Sequence, residues 1–162
     1  MKKQTVAKGL YLLFSALLIA VLAMSIAPAQ TARAQVTTSV SDLTISVISI
    51  PKHGKACETF EVTYAVTNLG PDPAINVRLG INVPDQLEYP QEVRGEPSYL
   101  AVGETATITA VIEVLYVDRD RKGWVDATVY SAPYPNISID PNLQNNWLSS
   151  PFKLIGSNNN CR

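Results

Sequence analysis

Residues Glu58–Pro73, E-T-F-E-V-T-Y-A-V-T-N-L-G-P-D-P, alternate so regularly that an extended strand is the structure they suit. Phe60, Val62, Tyr64 and Val66 fall on one side, and Thr59, Glu61, Thr63, Ala65 and Thr67 on the other. That is the period of a strand with one face in a core and the other toward solvent. Asn68-Leu69-Gly70-Pro71 then turns the chain, because Gly70 supplies backbone freedom and Pro71 cannot occupy a central ladder position. The pattern specifies a scaffold rather than an activity.

The rest of the chain repeats the signal. Asp42–Ile50 opens with Leu43, Ile45 and Val47 on one side and then shifts to Ile48 and Ile50. A one-residue slip reverses the buried face, so a bulge or a change of sheet is expected near Val47–Ile48. Pro51–Lys55 reads as a turn. Ile75–Val83 presents Val77, Leu79, Ile81 and Val83 together, and Pro84–Leu100 is irregular with room for one short strand. Thr105–Val117 is the longest β segment, its outward Thr105, Thr107 and Thr109 suited to a half-exposed pleat. Trp124–Ser131 sets Val125, Ala127 and Val129 against Trp124, Thr128 and Tyr130. A last strand lies around Trp147–Ile155, where Pro151 indicates an edge or a break. Short strands with turns between them, and no amphipathic helix of useful length, predict an all-β sandwich.

The first residues read as an address. Lys2, Lys3 and Lys8 precede an apolar run from Leu10 to Ala27, and Ala32-Arg33-Ala34 offers a small-residue exit before Gln35. This is the layout of a secretory signal peptide over residues 1–34, with an uncleaved anchor as the alternative. Residues 35–41 then form a short flexible lead, 42–155 the domain and 156–162 a polar tail. Cleavage removes four of the thirteen basic residues and none of the fourteen acidic ones, leaving a net charge near −5. An anionic chain with no basic cluster is a poor match for nucleic acid. The expected location is outside the cytoplasm, secreted or in the cell envelope, with no membrane span after cleavage.

Five ordered motifs resemble a known family. They are E-T-F-E-V-T-Y-A-V-T-N-L-G-P-D-P-A-I-N-V-R-L, V-P-D-Q-L-E-Y, L-A-V-G-E-T-A-T-I-T, D-A-T-V-Y-S and D-P-N-L-Q-N-N-W. Together they look like a DUF11/CARDB-type domain, an immunoglobulin-like module of bacterial and archaeal surface and secreted proteins. The resemblance spans Asp42 to Leu154. It implies a Greek-key sandwich of about seven strands serving as a spacer, adhesion or assembly module, with no catalytic residues to transfer. In that topology Cys57, before the second strand, and Cys161, in the tail, come to the same pole. An oxidising compartment and an even cysteine count favour a Cys57–Cys161 disulfide over free or intermolecularly paired thiols.

Candidate sites are few. Tyr130, Tyr134, Ile137 and Trp147 lie in or beside the Ala132–Asn146 loop and form a candidate binding loop for an envelope or extracellular protein or glycan. Their alternative role is to cap the core. Asp140, Asn142 and Asn145 are a weak calcium candidate, short of the ligand count of a defined loop. The lone His53 has no partner pattern for a metal, and no cofactor is expected. An enzyme, most plausibly a hydrolase, would need a nucleophile–base pair or paired carboxylates, and the chain has neither G-x-S-x-G nor a metal triad. The expectation is a non-enzymatic module for adhesion, assembly or protein/glycan binding. The alternative is a small inhibitor that inserts Ala132–Asn146 into a partner cleft. Oligomeric state is not legible.

Overall fold

Twelve strands account for the regular structure of the computed structural model, which describes residues 36–133 and 135–156. The expected signal peptide, Tyr134, Cys161 and the tail beyond Gly156 lie outside the described residues. The strands are β1 (Thr38–Val40), β2 (Leu43–Ser49), β3 (His53–Lys55), β4 (Thr59–Asn68), β5 (Ala74–Ile75) and β6 (Val77–Asn82). They continue as β7 (Glu92–Arg94), β8 (Tyr99–Leu100), β9 (Thr105–Glu113), β10 (Arg121–Ser131), β11 (Ile137–Ile139) and β12 (Trp147–Ile155). Sheet one has the order β2-β4-β9-β7, and sheet two the order β3-β12-β10-β6. Two small pairs, β1–β11 and β5–β8, close the ends. Without β3, this is the four-plus-three strand arrangement of a constant-type immunoglobulin sandwich.

The core fills with the residues that the alternation selects. Val62, Tyr64 and Val66 of β4 are fully buried, facing Val125, Ala127 and Val129 of β10, Phe152 and Leu154 of β12, and Val77 and Leu79 of β6. On its outer face β4 pairs with β9 through Thr63–Thr109 and Thr67–Thr105, whose hydroxyls lie 3.3 and 2.7 Å apart. Tyr64 carries the one long polar group sunk into this layer. Its phenol faces the Ser150 hydroxyl without a well-formed hydrogen bond, and burial pushes its pKa up to about 12, with Ser150 opposing the shift.

The parity slip near Val47 has a double cause. The β2–β4 register shifts between Val47 and Ser49, which ejects Ile48 to solvent. The chain then leaves sheet one and enters sheet two as β3, parallel to β12 through His53–Lys153 and Lys55–Ile155. The Pro51–Lys55 segment, expected as a turn, therefore ends in a strand. Three residues carry too little pattern to announce one; the β12 edge supplies the partner. β3 covers that flank only from Lys153 on, so Pro151 sits where β12 is locally an edge. Asn76, at φ 49, divides the expected Ile75–Val83 strand into β5 and β6.

The turn after β4 ties down the start of the domain. Asn68 is buried; its Nδ2 donates to the carbonyls of Asp72 (2.9 Å) and Leu100 (3.1 Å), while its Oδ1 accepts from Gly70 N–H. A Cβ on Gly70 would lie 2.3 Å from Asp42 N, so only glycine admits the approach. Asp72 bonds Val40 in both directions.

The β7, β6 and β2 edges are blunted, while β12 ahead of Lys153 is an open edge interrupted by Pro151. β7 is three residues long and charged, with Arg94 Nη2 2.6 Å from Glu92 and Nη1 3.3 Å from Glu61. The Arg94 hydrogen bond holds the Glu92 carboxyl below the usual carboxylate range. At the β6 edge, Glu96 accepts Leu79 N–H at 2.8 Å and pairs with Arg78 at 2.7 Å, and Pro97 O accepts Val77 N–H. Gly95 makes that cover possible: its φ is +84, and a Cβ there would meet Thr107 O at 2.3 Å. At the β2 edge, Leu43 N–H goes to Asp140 and Ile45 N–H to Asn145 O. The β3 edge is three residues long. Short, charged or covered edges resist strand-to-strand association.

Candidate functional site

The loop singled out for binding divides into two parts with different work. Its centre holds the N-terminal lead. Thr38–Val40, expected to be flexible, pair in parallel with Ile137–Ile139, and Ser41 N–H donates to Ile139 O at 3.0 Å. Asn136 Oδ1 accepts Thr37 N–H, and the hydroxyls of Ser41 and Ser138 meet at 3.0 Å. Ile137 thus sits on a strand that clasps the lead, with its side chain exposed.

Asp140 is the hub of the second half. Its Oδ2 accepts Leu43 N–H at 2.8 Å and Asn146 Nδ2 at 3.0 Å, and its Oδ1 accepts Asn142 N–H at 2.9 Å. Asn145 Nδ2 donates to Asp42 Oδ1 at 2.8 Å. The weak calcium candidates therefore meet, but Asn142 contributes its backbone N–H, and both Asp140 oxygens already take N–H donors. Among the described residues no three His, Cys, Asp or Glu side chains gather as a metal cluster. The arrangement is a polar joint between β2 and the loop before β12.

The aromatic ends of the loop belong to a sheet. Tyr130 is on β10 and Trp147 begins β12; both point away from the core and are 50% and 53% exposed. The register places Trp147 opposite Thr128 and Thr128 opposite Gly80, with Tyr130 opposite Arg78 in the next outward row. The Tyr130 ring lies 3.8 Å from where a Cβ on Gly80 would stand. The next row the other way is Ser149–Asp126–Asn82, and beyond it half-buried Trp124 faces Pro151. The outer face of sheet two thus carries a stripe, aromatic at both ends and polar in the middle. From Tyr130 to Trp124 it runs roughly 20 Å at the usual strand rise.

Trp124, Pro151 and Gly80 were not among the sequence candidates. The parity that put Trp124, Thr128 and Tyr130 on one face held the signal; what was missing was the β10–β12 register that adds Trp147 to them. At the far end of the face Lys153 Nζ is 2.6 Å from Asp120. Hydrogen bonds from Lys153 and then Gly156 N–H hold the Asp120 carboxyl below its usual range.

Cys57 adopts φ 68 in the turn before β4, its N–H bonded to Val114 O at 2.8 Å. No cysteine among the described residues is a free thiol.

No protein-family model matches the sequence, and no curated protein matches it. Solved structures do match its shape. The CARDB domain of a Pyrococcus furiosus protein, in solution, superposes with a TM-score of 0.51 at 16% identity, over 74% of this chain and 99% of that one. A crystal structure of the same domain, described as in complex with di-metal ions, gives 0.50 at 15% identity, over 75% and 94%. Native alpha-2-macroglobulin of Escherichia coli, from its MG7 domain to the C-terminus, gives 0.51 at 16%, over 72% of this chain and 17% of that one. The class is therefore an all-β, immunoglobulin-like sandwich. Within that class, the fold is that of a CARDB-type domain.

Proposed function

We propose that the protein is an exported, non-enzymatic immunoglobulin-like module that binds another macromolecule through the outer face of sheet two. The observation that carries this reading is the pair Tyr130 and Trp147, half exposed side by side on one rigid sheet. Large aromatics presented on a fixed scaffold suit recognition. Strand addition, the other route to assembly, meets Glu96, Asp140 or Arg94 at the β6, β2 and β7 edges, and at the open stretch of β12 it meets Pro151, which has no N–H to donate. Loop insertion into a partner is disfavoured as well, since Ile137–Ile139 and Asp140 are engaged with the lead and β2. The residue with the strongest titration shift, Tyr64, is sealed in the core, where the shift reflects burial rather than a reactive cleft. The solved neighbours of this fold are immunoglobulin-like domains, and the leader points outside the cytoplasm.

The test is capture from an envelope extract by the mature chain, by Trp147→Ala and by Tyr130→Ala. Retention of specific partners is expected to drop sharply in both variants. Partners retained equally by all three proteins would overturn the assignment of the face.

A further inference from the structure

We propose that the occupant of this face is a neutral polysaccharide, an uncharged chain of sugar rings lying along the strands of sheet two. The inference rests on the binding-face reading above and narrows it to one ligand class.

The shape of the stripe is the first argument. Tyr130 and Trp147 occupy diagonal positions on neighbouring strands, where Cβ atoms stand roughly 7–8 Å apart. Gly80 and Thr128 beside them are short; the Tyr130 ring lies against Gly80, and half of each aromatic side chain remains open to a flat ligand. An aromatic face accepts the C–H face of a sugar ring, and the phenol and indole N–H remain free for its rim. The next row, Ser149, Asp126 and Asn82, supplies donors and acceptors for hydroxyls, and Trp124 with Pro151 offers a second apolar stop farther along. Aromatic, polar and again aromatic is an arrangement for a linear polymer with apolar faces and hydroxylated edges.

Charge is the second argument. The Arg78 guanidinium in the first row is paired with Glu96, which leaves the Asp126 carboxylate as the charge in the middle row. At the far end Lys153 is paired with Asp120, which leaves Lys122 beside it as a charge opposite in sign to Asp126. The charges of the face balance, so it has no net positive field to draw in a polyanion such as a polyuronate or a phosphodiester polymer.

Area is the third. Aromatic side chains bring about 150–250 Å² each, so two at half exposure present roughly 200 Å². A stable pairing of two copies needs about 800 Å² per partner. The apolar strip is too small for a second copy of this chain and large enough for a few sugar rings.

The decisive experiment is native affinity electrophoresis of the mature full chain. The gels contain xylan, mixed-linkage β-glucan, glucomannan or hydroxyethyl cellulose, with polygalacturonate as the charged control. Tryptophan fluorescence is followed in parallel titrations. At least one neutral polymer is expected to retard the protein and perturb its fluorescence, with affinity falling about tenfold or more in Trp147→Ala and in Tyr130→Ala. Leu143→Ala, an exposed apolar residue outside the four rows, is expected to bind as wild type, and thermal melts check that all variants fold. No retardation by any neutral polymer overturns the inference. So does retardation unchanged in both aromatic variants, or equal retardation by polygalacturonate. Envelope proteins captured through Trp147 without polymer binding would overturn the polysaccharide and leave the face standing. Loss of both would overturn the face as well.

Discussion

Replacing Tyr64 by Phe tests the buried hydroxyl in the middle of the sandwich. Tyr64 is 0% exposed, and its Oη and Ser150 Oγ both lack a hydrogen-bond partner. At pH 7 the phenol is neutral in folded and unfolded chains alike, so deleting the hydroxyl removes a desolvated polar group and no more than a poorly formed contact with the Ser150 hydroxyl. The variant is expected within about 1 kcal/mol of wild type, on the neutral or stabilising side, where a hydrogen-bonded buried tyrosine would lose that much or more. Alkaline pH separates the two proteins. The folded-state pKa is raised from 10.0 to about 12 by burial, so above pH 10 the unfolded phenol releases its proton while the folded one keeps it. Stability from this group is complete below pH 10 and is lost as pH rises toward 12. The loss is about 1 kcal/mol by pH 11 and approaches about 3 kcal/mol once both states ionise. Urea unfolding of both proteins at pH 7, 9, 10, 11 and 11.5 measures it. Other titrating groups contribute equally to the two curves, so their difference isolates Tyr64. Parallel pH profiles would refute the reasoning, as would a loss of 2 kcal/mol for Tyr64→Phe at pH 7.

Glu96→Ala uncovers Leu79 N–H on the β6 edge and releases Arg78; concentration-dependent association by sedimentation velocity is expected, and a strictly monomeric variant would count against edge protection. Asp140→Ala leaves the Leu43 N–H and the Asn146 amide (3% exposed) without an acceptor. A loss of about 2–4 kcal/mol in urea unfolding is expected, and a change under 0.5 kcal/mol would show the joint to be dispensable. The proposed Cys57–Cys161 bond closes a loop of about 100 residues, and Cys57→Ser is expected to cost up to about 4.7 kcal/mol. Thiol labelling of unreduced, denatured monomer should give no adduct; two labels per chain would remove the bond.

The features legible in the sequence were those with local period. Phe60 to Val66 and Ala106 to Ile112 announced their faces because each strand is long, and the slip at Ile48 announced the sheet change because parity is unforgiving. What stayed hidden depended on distant partners. His53–Lys55 and Thr38–Val40 are strands only because β12 and β11 lie beside them. Two short strands, β7 and β8, appear where room for one was expected, each defined by its partner rather than by its own pattern. Trp147 was legible as the start of the last strand, but only register with Thr128 sets it beside Tyr130 on a sheet face. Asp140 was read as a calcium ligand candidate because composition names donors and acceptors without saying which are already engaged.

The parallel pairing of β3 with β12 also fixes when the sandwich can finish. His53 meets Lys153 and Thr38 meets Ile137, so the earliest strands find partners about a hundred residues later. For a chain threaded out of the cell N-terminus first, these strands emerge long before anything exists to receive them. Contacts this distant are slow to form and leave intermediates exposed. Closure therefore waits for the last segment, so in a chain exported as proposed a finished fold would report that the whole chain has crossed.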